Sequence, residues 1–247
     1  DSYPTCNFRP RQSDDKAEAI KLSAIVPVIL EQNRYEDVYF DIAWYTLKHG
    51  GSVQGIFWDG SKHNGLGDIK IKKIDFINLF WEPGITDIQE SQNIFNIELV
   101  DNNILEQRYP QTVGKLGGKT VNLAQYLYDD SVDTSDKSVV VDWYYHTYYN
   151  GKKTLQYVKY VNDEVLFATE NDPNFAERGW YDHGQYPFVF DPLFSVEGTP
   201  CGFGYIDIGK SAQEYIDRGN QAIMQNLLAN AKPRHFVRTD GAVNEEE

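Results

Sequence analysis

The residues of this chain with chemically reactive side chains form no recognisable catalytic pattern. The candidates are two histidines, a run of carboxylates and both cysteines: His146, His183, Glu170, Asp172, Glu177, Asp182, Asp191, Cys6 and Cys201. Asp182 and His183 could act as an acid and a base, but adjacent residues rarely face each other, and no Gly-x-Ser-x-Gly sequence supplies a nucleophile. Cys6 and Cys201 lie nearly the whole chain apart and match neither a disulfide framework nor a metal site. We therefore predict no enzyme, no cofactor and no bound metal.

A carbohydrate-active alternative stays open. Hydrolysis of a glycoside needs two carboxyl groups held across a sugar, and the carboxylates between Glu170 and Asp191 could include such a pair. The 17 tyrosines and 5 tryptophans could also stack on sugar rings. The competing interpretation is structural, because Asn171-Asp172-Pro173 and Asp182-His183-Gly184 have turn chemistry and aromatic residues on strands usually pack in sheets. We favour the structural interpretation and keep a carbohydrate-binding or glycoside-hydrolase-like β-rich module as the alternative.

Composition and charge limit the classes of protein to which this chain can belong. Its 247 residues, 41% of them hydrophobic, suffice for one large domain or for a domain with an appendage. The 37 acidic residues outnumber the 23 basic ones, and the formal net charge of −14 argues against tight non-specific DNA binding. No run of about 20 apolar residues is present, so a membrane span is not expected. We interpret the chain, which starts at Asp1 and stops at Glu247, as a fragment.

The first part of the chain predicts two helices. Asp15 and Glu18 have the spacing of a capping box, and Pro27 should kink or interrupt the helix that they begin. The second helix is expected to stop at Gly50-Gly51. Its apolar stripe comprises Tyr35, Val38, Ile42, Tyr45 and His49. These residues recur at helical spacing, so this face should pack against the rest of the domain.

Most of the remaining chain predicts antiparallel strands. The β-forming stretches are 53–58, 68–72, 139–149, 155–160 and 165–168. The first two predict a hairpin or a meander. The last three predict a three-stranded meander, because Asn150-Gly151 is a strong hairpin-turn signal between the first pair. The segment 94–100 is compatible with a strand or with a short helix, and its pattern does not decide between them.

A long helix is predicted near the end of the chain. Residues 206–231 contain no proline, and six residues, most of them with small side chains, recur there at steps of three or four on one helical face. They are Ile208, Ala212, Tyr215, Gly219, Ala222 and Asn226, with Ile216, Ile223 and Leu227 as an apolar edge beside them. At about 1.5 Å per residue the helix would be roughly 35–40 Å long. With so few large side chains, it suits close packing against copies of itself better than anchoring a monomer core.

The order of several short motifs resembles the wing-to-stem junction of tailed-bacteriophage portal proteins. The motifs are Tyr186-Pro187-Phe188, the run Gly198-Thr199-Pro200-Cys201-Gly202-Phe203-Gly204, a helix that carries Gln213 and Asn220, and Pro233-Arg234 at the start of a strand. The resemblance covers about residue 14 to the end, and a short helix ending at Tyr109-Pro110 also fits the portal wing. The competing interpretations are an unrelated α+β protein with a long surface helix and another phage scaffold protein.

The resemblance implies an α+β fold. A helical arm would precede an antiparallel β-rich wing layer, followed by a long C-terminal stem helix and the first strand of a clip. The implied segments are a wing at 1–203, with helices at about 15–49, a β-rich part at 52–203 and an exposed loop at about 111–137, then a stem helix at 204–232 and a truncated clip at 233–247.

The same resemblance implies a structural role in the virion. An intact portal protein would form a twelve-subunit ring at one capsid vertex, and this ring would be the channel for DNA packaging and ejection. Its partners would be its own copies, the terminase large subunit, the major capsid and scaffolding proteins, the head-completion (adaptor) proteins, and double-stranded DNA that passes through without sequence-specific contacts. The ring would assemble in the cytoplasm of the bacterial host, away from any membrane.

Two sets of residues are the expected sites. The expected subunit interface of the stem comprises Ala212, Tyr215, Gly219, Ala222 and Asn226, because short side chains permit close approach of helices. The candidate contacts with DNA in the channel, or with the clip, are Lys210, Arg218, Lys232, Arg234 and Arg238. Lys232 could instead complement the dipole at the C-terminus of the helix.

Overall fold

The computed structural model describes residues 6–12, 14–116 and 136–231, and it has the predicted α+β fold. The chain divides into two compact units after Gly204. The first unit contains a helical arm, two larger antiparallel sheets and a short two-stranded hairpin, and the described part of the second is one long helix. None of the described helices combines the length and the hydrophobicity that a bilayer crossing demands.

The helical arm consists of α1 (Lys16–Gln32) and α2 (Tyr35–His49). The prediction of a capping box is wrong, because the Asp15 side chain makes no capping hydrogen bond with α1. Its carboxylate instead accepts from the backbone N–H of Gln12 at 3.3 Å. Pro27 does not interrupt α1, since it lies at an exposed position, where water can satisfy the carbonyl that loses its helical donor. α2 ends as predicted, at Gly50, whose φ of 84° is the left-handed conformation of a helix stop.

The smaller sheet has three strands in the order β2-β1-β8, with β1 at Gly51–Asp59, β2 at Asp68–Ile74 and β8 at Phe188–Pro192. β1 and β2 form a hairpin, which is one of the two arrangements that the sequence predicted. α2 packs on this sheet, and the Lys73 ammonium of β2 lies 3.4 Å from the ring centroid of Tyr45. The side chain of Asn33, between α1 and α2, accepts from the N–H of Ile71 and donates to the carbonyl of Ile69. Asn33 thereby occupies part of the open edge of β2 and ties the arm to the sheet.

The larger sheet has five antiparallel strands in sequence order: β3 (Leu79–Trp81), β4 (Asn93–Asp101), β5 (Lys137–Tyr149), β6 (Lys152–Val161) and β7 (Glu164–Ala168). The last three are the predicted meander. Asn150 and Gly151 have φ values of 49° and 78°, as a two-residue hairpin turn requires. The undecided segment 94–100 is strand, because β4 pairs with β3 on one side and with β5 on the other. The short helix α3 (Asn102–Arg108) follows β4 and ends before Tyr109-Pro110 as predicted.

The core consists of two hydrophobic clusters, both of which include the inner face of β5. The first cluster contains Val53, Ile94, Tyr144, Leu155 and Phe188, and it joins the two sheets. The second contains Leu105, Val140, Val161 and Leu166, beneath α3. A buried Asp142 lies between Val140 and Tyr144 in the alternation of β5, so a polar layer separates the clusters.

The first unit ends in a short hairpin of β9 (Phe194–Ser195) and β10 (Gly202–Phe203), which leads to Gly204. The second unit contains α4 (Tyr205–Ala231). Most of the loop expected at 111–137 and all of the clip expected at 233–247 lie outside the described residues. The described start of that loop, up to residue 116, includes a buried Thr112 and an ion pair of 2.6 Å between Lys115 and Glu164.

Candidate assembly surface

The longest helix of the described chain, α4, presents all of its side chains to solvent. It has 27 residues, every one of them exposed, and at about 1.5 Å per residue it is roughly 40 Å long. Isolated helices gain little stability from their own backbone hydrogen bonds, and in proteins most helical stability comes from packing an apolar face. The helix therefore has apolar surface whose burial would stabilise it.

Four large apolar side chains of α4 lie along one side of the helix. Tyr205, Ile216, Ile223 and Leu227 are separated by 11, 7 and 4 residues, which returns each to nearly the same direction around the helix. Their exposed fractions are 57%, 57%, 59% and 58%. Aliphatic side chains at this exposure are typical of a contact surface when they form a continuous row.

The residues predicted to form the subunit interface lie in α4, beside this apolar row. They are Ala212, Tyr215, Gly219, Ala222 and Asn226, all of them exposed. A Cβ added to Gly219 would meet no atom within 4 Å, so the space next to this glycine is open. Small side chains in such a row would let another helix approach closely.

The basic residues of α4 do not form a patch. Lys210 and Arg218 are exposed and share the helix with three carboxylates, Asp207, Glu214 and Asp217. The Asp217 carboxylate accepts a hydrogen bond from the Gln213 amide at 2.9 Å. The other predicted contacts, Lys232, Arg234 and Arg238, lie outside the described residues.

The candidate catalytic residues of the carbohydrate alternative have separate local partners. Glu177 accepts from the Tyr149 hydroxyl at 2.8 Å, and Asp182 pairs with Arg178 at 2.8 Å. Asp172 accepts from the N–H of Asn174 at 2.9 Å, which is the turn chemistry predicted for this segment. Asp191 belongs to β8, and Glu170 lies beside Tyr145, whose pKa is raised first by burial and then by this carboxylate. These contacts are the ones expected of structural carboxylates.

The candidate histidines and cysteines are similarly dispersed. His183 is exposed, with its ring stacked on Tyr181 at a centroid distance of 5.3 Å. His146 is buried, with Nδ1 at 3.3 Å from the Ser91 carbonyl and Nε2 at 3.1 Å from the Gly184 carbonyl. Cys6 is exposed and Cys201 is half-buried, and both are free thiols. Within the described ranges, no three histidine, cysteine or acidic side chains are grouped so that they could hold a metal ion.

Sequence reasoning missed a polar cleft between the two sheets, with a volume of about 360 Å³. At its base the Asp142 carboxylate accepts from the Tyr157 hydroxyl at 2.7 Å and from the Lys159 ammonium at 2.6 Å. Lys72 and Glu98 form a second ion pair across the cleft. Burial raises the pKa of Tyr157. Burial also opposes ionisation of Glu98, but the charge and hydrogen bond of Lys72, together with Lys159 and Asn96, lower the pKa of Glu98 overall. Charged residues on the inner faces of β5 and β6 were the signal that could have revealed this cleft.

A comparison with models of known protein families identifies the family of this chain. A model of the phage P22-like portal proteins matches residues 1–186, about three quarters of the 247 residues. The chain belongs to the phage P22-like portal protein family. The resemblance to portal proteins that the sequence indicated is therefore confirmed. A search among curated proteins gave no match.

Membership of the portal family makes the chain a structural protein of a bacteriophage, at the vertex of the capsid. Portal proteins are structural and non-enzymatic as a family. The match ends at Tyr186, so it covers the arm and the five-stranded sheet but not α4. The role of α4 therefore has to be inferred from its own sequence and exposure.

Proposed function

We propose that this chain is the subunit of a portal ring and that α4 packs against α4 of neighbouring copies around a DNA channel. The observation that carries the proposal is a fully exposed helix of 27 residues in a chain that belongs to the portal family. In this proposal the first unit, which ends at Gly204, is the wing and α4 is the stem helix. Residues 233–247 begin the clip, and the natural ring contains twelve copies.

The side chains of α4 support helix-to-helix packing between copies. The row of small residues that includes Ala212, Gly219 and Ala222 allows the backbones of two helices to approach closely. The adjacent Ile216 and Ile223 supply the apolar area whose burial drives association, at about 25 cal/mol per Å². Two glycines inside the helix, Gly209 and Gly219, each cost about 1 kcal/mol of helix propensity relative to alanine. Close contact with a neighbour offsets that cost.

The charge of α4 supports a channel that DNA passes without adhering. The two described basic residues, Lys210 and Arg218, are outnumbered by the carboxylates of the same helix. Strong DNA binding requires many lysines and arginines that neutralise phosphates. In our proposal Lys210 and Arg218 make transient phosphate contacts, and Lys232, Arg234 and Arg238 extend these contacts toward the clip.

The remaining partners follow from the position of a portal in the virion. We propose that the assembled ring docks the terminase large subunit during packaging and the head-completion (adaptor) proteins afterwards. The major capsid and scaffolding proteins surround the ring during head assembly in the host cytoplasm. The chain itself catalyses no reaction in this scheme, since its role is to shape the channel and to present docking surfaces.

Ring formation by the protein in its full natural length tests this function. We expect annular particles in negative-stain images, and Gly219→Leu should reduce their yield by at least tenfold, because a large side chain would hold neighbouring helices apart. The matched control is Gln221→Leu, which places the same side chain on the opposite side of α4. Leucine is a better helix former than glycine, so loss of rings in Gly219→Leu cannot result from a weaker helix.

Two results would contradict the proposed function. The first is a natural-length protein that stays monomeric and forms no annular particles at any concentration. The second is a Gly219→Leu variant that forms rings as well as the Gln221→Leu control does, which would remove the small row of α4 from the interface. Mass measurement in solution, alongside imaging, distinguishes a monomer from a ring that is too fragile to image.

A further inference from the structure

The polar cleft between the two sheets has the size of a small-molecule site. Strands β4, β5 and β6 supply its base, and β1 and β2 supply the opposite wall. Its volume of about 360 Å³ falls within the range of about 300–1,000 Å³ that ligand pockets usually have. Most ligand pockets are mainly apolar, whereas charged side chains line much of this one. We call it the inter-sheet cleft.

The charges of the inter-sheet cleft largely balance each other. Three ion pairs line it: Lys72 with Glu98, Lys159 with Asp142 at 2.6 Å, and Lys70 with Asp59 at 3.7 Å. The fourth cation, Arg108, forms no ion pair with a described residue, but it is exposed to solvent, which screens its charge. A ligand anion at the base would approach the carboxylates of Asp142 and Glu98, and a ligand cation would approach the ammonium groups that pair with them. The charge balance therefore favours a neutral ligand.

Two polar atoms at the base of the cleft have no hydrogen-bond partner among the residues that the structure describes. Tyr144 is 4% exposed, and one of these atoms is its hydroxyl oxygen. Burial, and then the charges of Asp142 and Glu98, raise the pKa of Tyr144, so its hydroxyl faces the same space as these carboxylates. Asp142 is 7% exposed, and the hydrogen bonds from Tyr157 and Lys159 both end on its Oδ1, which leaves Oδ2 as the second atom. Buried polar atoms are nearly always hydrogen-bonded, so these two indicate a bound molecule.

A hydroxyl group of a ligand would satisfy both atoms at once. A hydroxyl has one hydrogen to donate and two lone pairs that accept. It can accept from the Tyr144 hydroxyl and donate to Oδ2 of Asp142. An ionised carboxylate has no hydrogen to donate, and an ammonium group has no lone pair with which to accept. The base of the cleft therefore selects a molecule that carries hydroxyl groups.

Aromatic side chains supply the apolar part of the cleft. The indole of Trp58 is 54% exposed and packs against Gly67, where an added Cβ would lie 2.5 Å from the ring. The backbone N–H of Trp58 donates to the Tyr181 hydroxyl at 3.4 Å, and the Tyr181 ring lies 5.9 Å from that of Trp180. The negative face of an aromatic ring attracts the C–H groups on the apolar face of a sugar. Such rings beside hydrogen-bonding groups match a molecule with one flat apolar face and several hydroxyls.

We propose that the inter-sheet cleft binds a neutral sugar, with one hydroxyl of the sugar between Tyr144 and Asp142 and its apolar face against Trp58. The site binds a sugar without cleaving it. Lys72 lowers the pKa of Glu98 against the effect of burial, and Asp142 is paired with Lys159, so neither carboxyl group holds the proton that glycoside cleavage requires. All of these residues belong to the first unit, and the site does not depend on the proposed ring.

Removal of one oxygen atom tests the proposal. Saturation-transfer NMR on the natural-length protein would use four probes: methyl α-glucoside, methyl α-mannoside, methyl β-galactoside and N-acetylglucosamine. At least one should bind saturably, with a Kd of about 1 mM. Tyr144→Phe should weaken that binding at least tenfold, because a hydroxyl of the sugar loses its donor in a buried place. The matched control is Tyr148→Phe, which removes the same atom from a tyrosine of β5 that is 70% exposed and should leave the Kd unchanged.

The melting temperature separates a binding role of the Tyr144 hydroxyl from a structural one. Since this hydroxyl has no partner in the described part of the chain, Tyr144→Phe without sugar should melt at the same temperature as the unmodified protein or above it. A fall of many degrees would show that the hydroxyl holds the fold together and would overturn the proposal.

A second pair of variants tests the aromatic contact. Trp58→Ala should also weaken sugar binding at least tenfold. Its control is Trp44→Ala on α2, which removes another tryptophan that is 66% exposed and should have no effect on the Kd. Equal losses in the two variants would overturn the assignment of the sugar to the cleft.

Three further results would overturn the proposal. Absence of saturable binding by all four sugars, at about a hundred times the expected Kd of 1 mM, would leave water as the occupant of the base. Unchanged affinity in Tyr144→Phe would place the bound sugar elsewhere. Displacement of the sugar by an equal concentration of inorganic phosphate would show a site for anions. Ring formation is not measured in these experiments, so their failure leaves the proposed function untouched.

Discussion

The two units of the chain differ in the exposure of their apolar side chains. In the first unit Ile94 and Phe188 are 0% and 1% exposed, whereas in α4 Ile223 and Leu227 are 59% and 58% exposed. The first unit therefore holds its fold through its own core. The helix keeps its apolar side chains exposed, and in the proposed ring neighbouring copies would bury them. This contrast can be tested by matched substitutions in the two units.

The largest expected effect comes from removing a core side chain of the first unit. Phe188 packs edge-to-face on Phe57 and Tyr144, at centroid distances of 5.8 and 5.4 Å. Phe188→Ala should lower the free energy of unfolding of the isolated subunit by about 3–5 kcal/mol, since it leaves a cavity between the sheets. Urea denaturation monitored by tryptophan fluorescence measures the change.

The matched substitution in α4 is Ile223→Ala, which should change the free energy of unfolding of the isolated subunit by less than about 0.5 kcal/mol. Comparable losses from Phe188→Ala and Ile223→Ala would show that α4 is buried in the isolated subunit, and the contrast between the units would fail.

A smaller effect is expected from the polar layer of the first unit. Asp142→Ala removes the acceptor of the Lys159 ammonium and of the Tyr157 hydroxyl, and should destabilise the isolated subunit by about 2–3 kcal/mol. The control is Asp217→Ala in α4, where an exposed carboxylate loses one amide donor and stability should change by less than about 0.5 kcal/mol. Equal effects of the two substitutions would mean that the cleft is as well solvated as the surface of the helix.

The smallest expected effect is a dependence of stability on pH that arises from His146 in the core of the first unit. Burial, and then the charge of Lys153, lower the pKa of His146 below its usual 6.5. The unfolded chain therefore binds this proton more readily than the folded chain, and stability is lost as the pH falls below about 6.5 through the folded pKa. Denaturation curves between pH 7.5 and 5 measure the slope.

Replacement of this histidine should flatten that slope. In His146→Gln the proton-binding group is gone, so the pH-dependent loss of stability should shrink, although the buried amide lowers stability at all pH values. His183→Gln removes an exposed histidine and serves as the control. An unchanged slope in His146→Gln would assign the pH dependence to other groups.

Local sequence patterns predicted the elements that local interactions specify. Asn150-Gly151 predicted the meander, because few residues other than glycine and asparagine adopt the positive φ values of that turn. Gly50-Gly51 predicted the end of α2 for the same reason. The long helix was predicted from the absence of proline and from the three- and four-residue recurrence in 206–231. The capping box at Asp15 failed, because the spacing of two residues does not ensure that the side chain reaches the helix N-terminus.

The sequence by itself thus determined the α+β class, most strand and helix positions and, through the order of its motifs, the portal family. Only the tertiary structure decided that segment 94–100 is a central strand, that Asp142 is buried with Lys159 as its partner, and that the Trp44 side of α2 stays exposed in the part of the chain that the structure describes. The physical reason is that backbone turns and periodicity depend on neighbours in sequence. Burial, ion pairing and unpartnered faces depend on which distant segments come together.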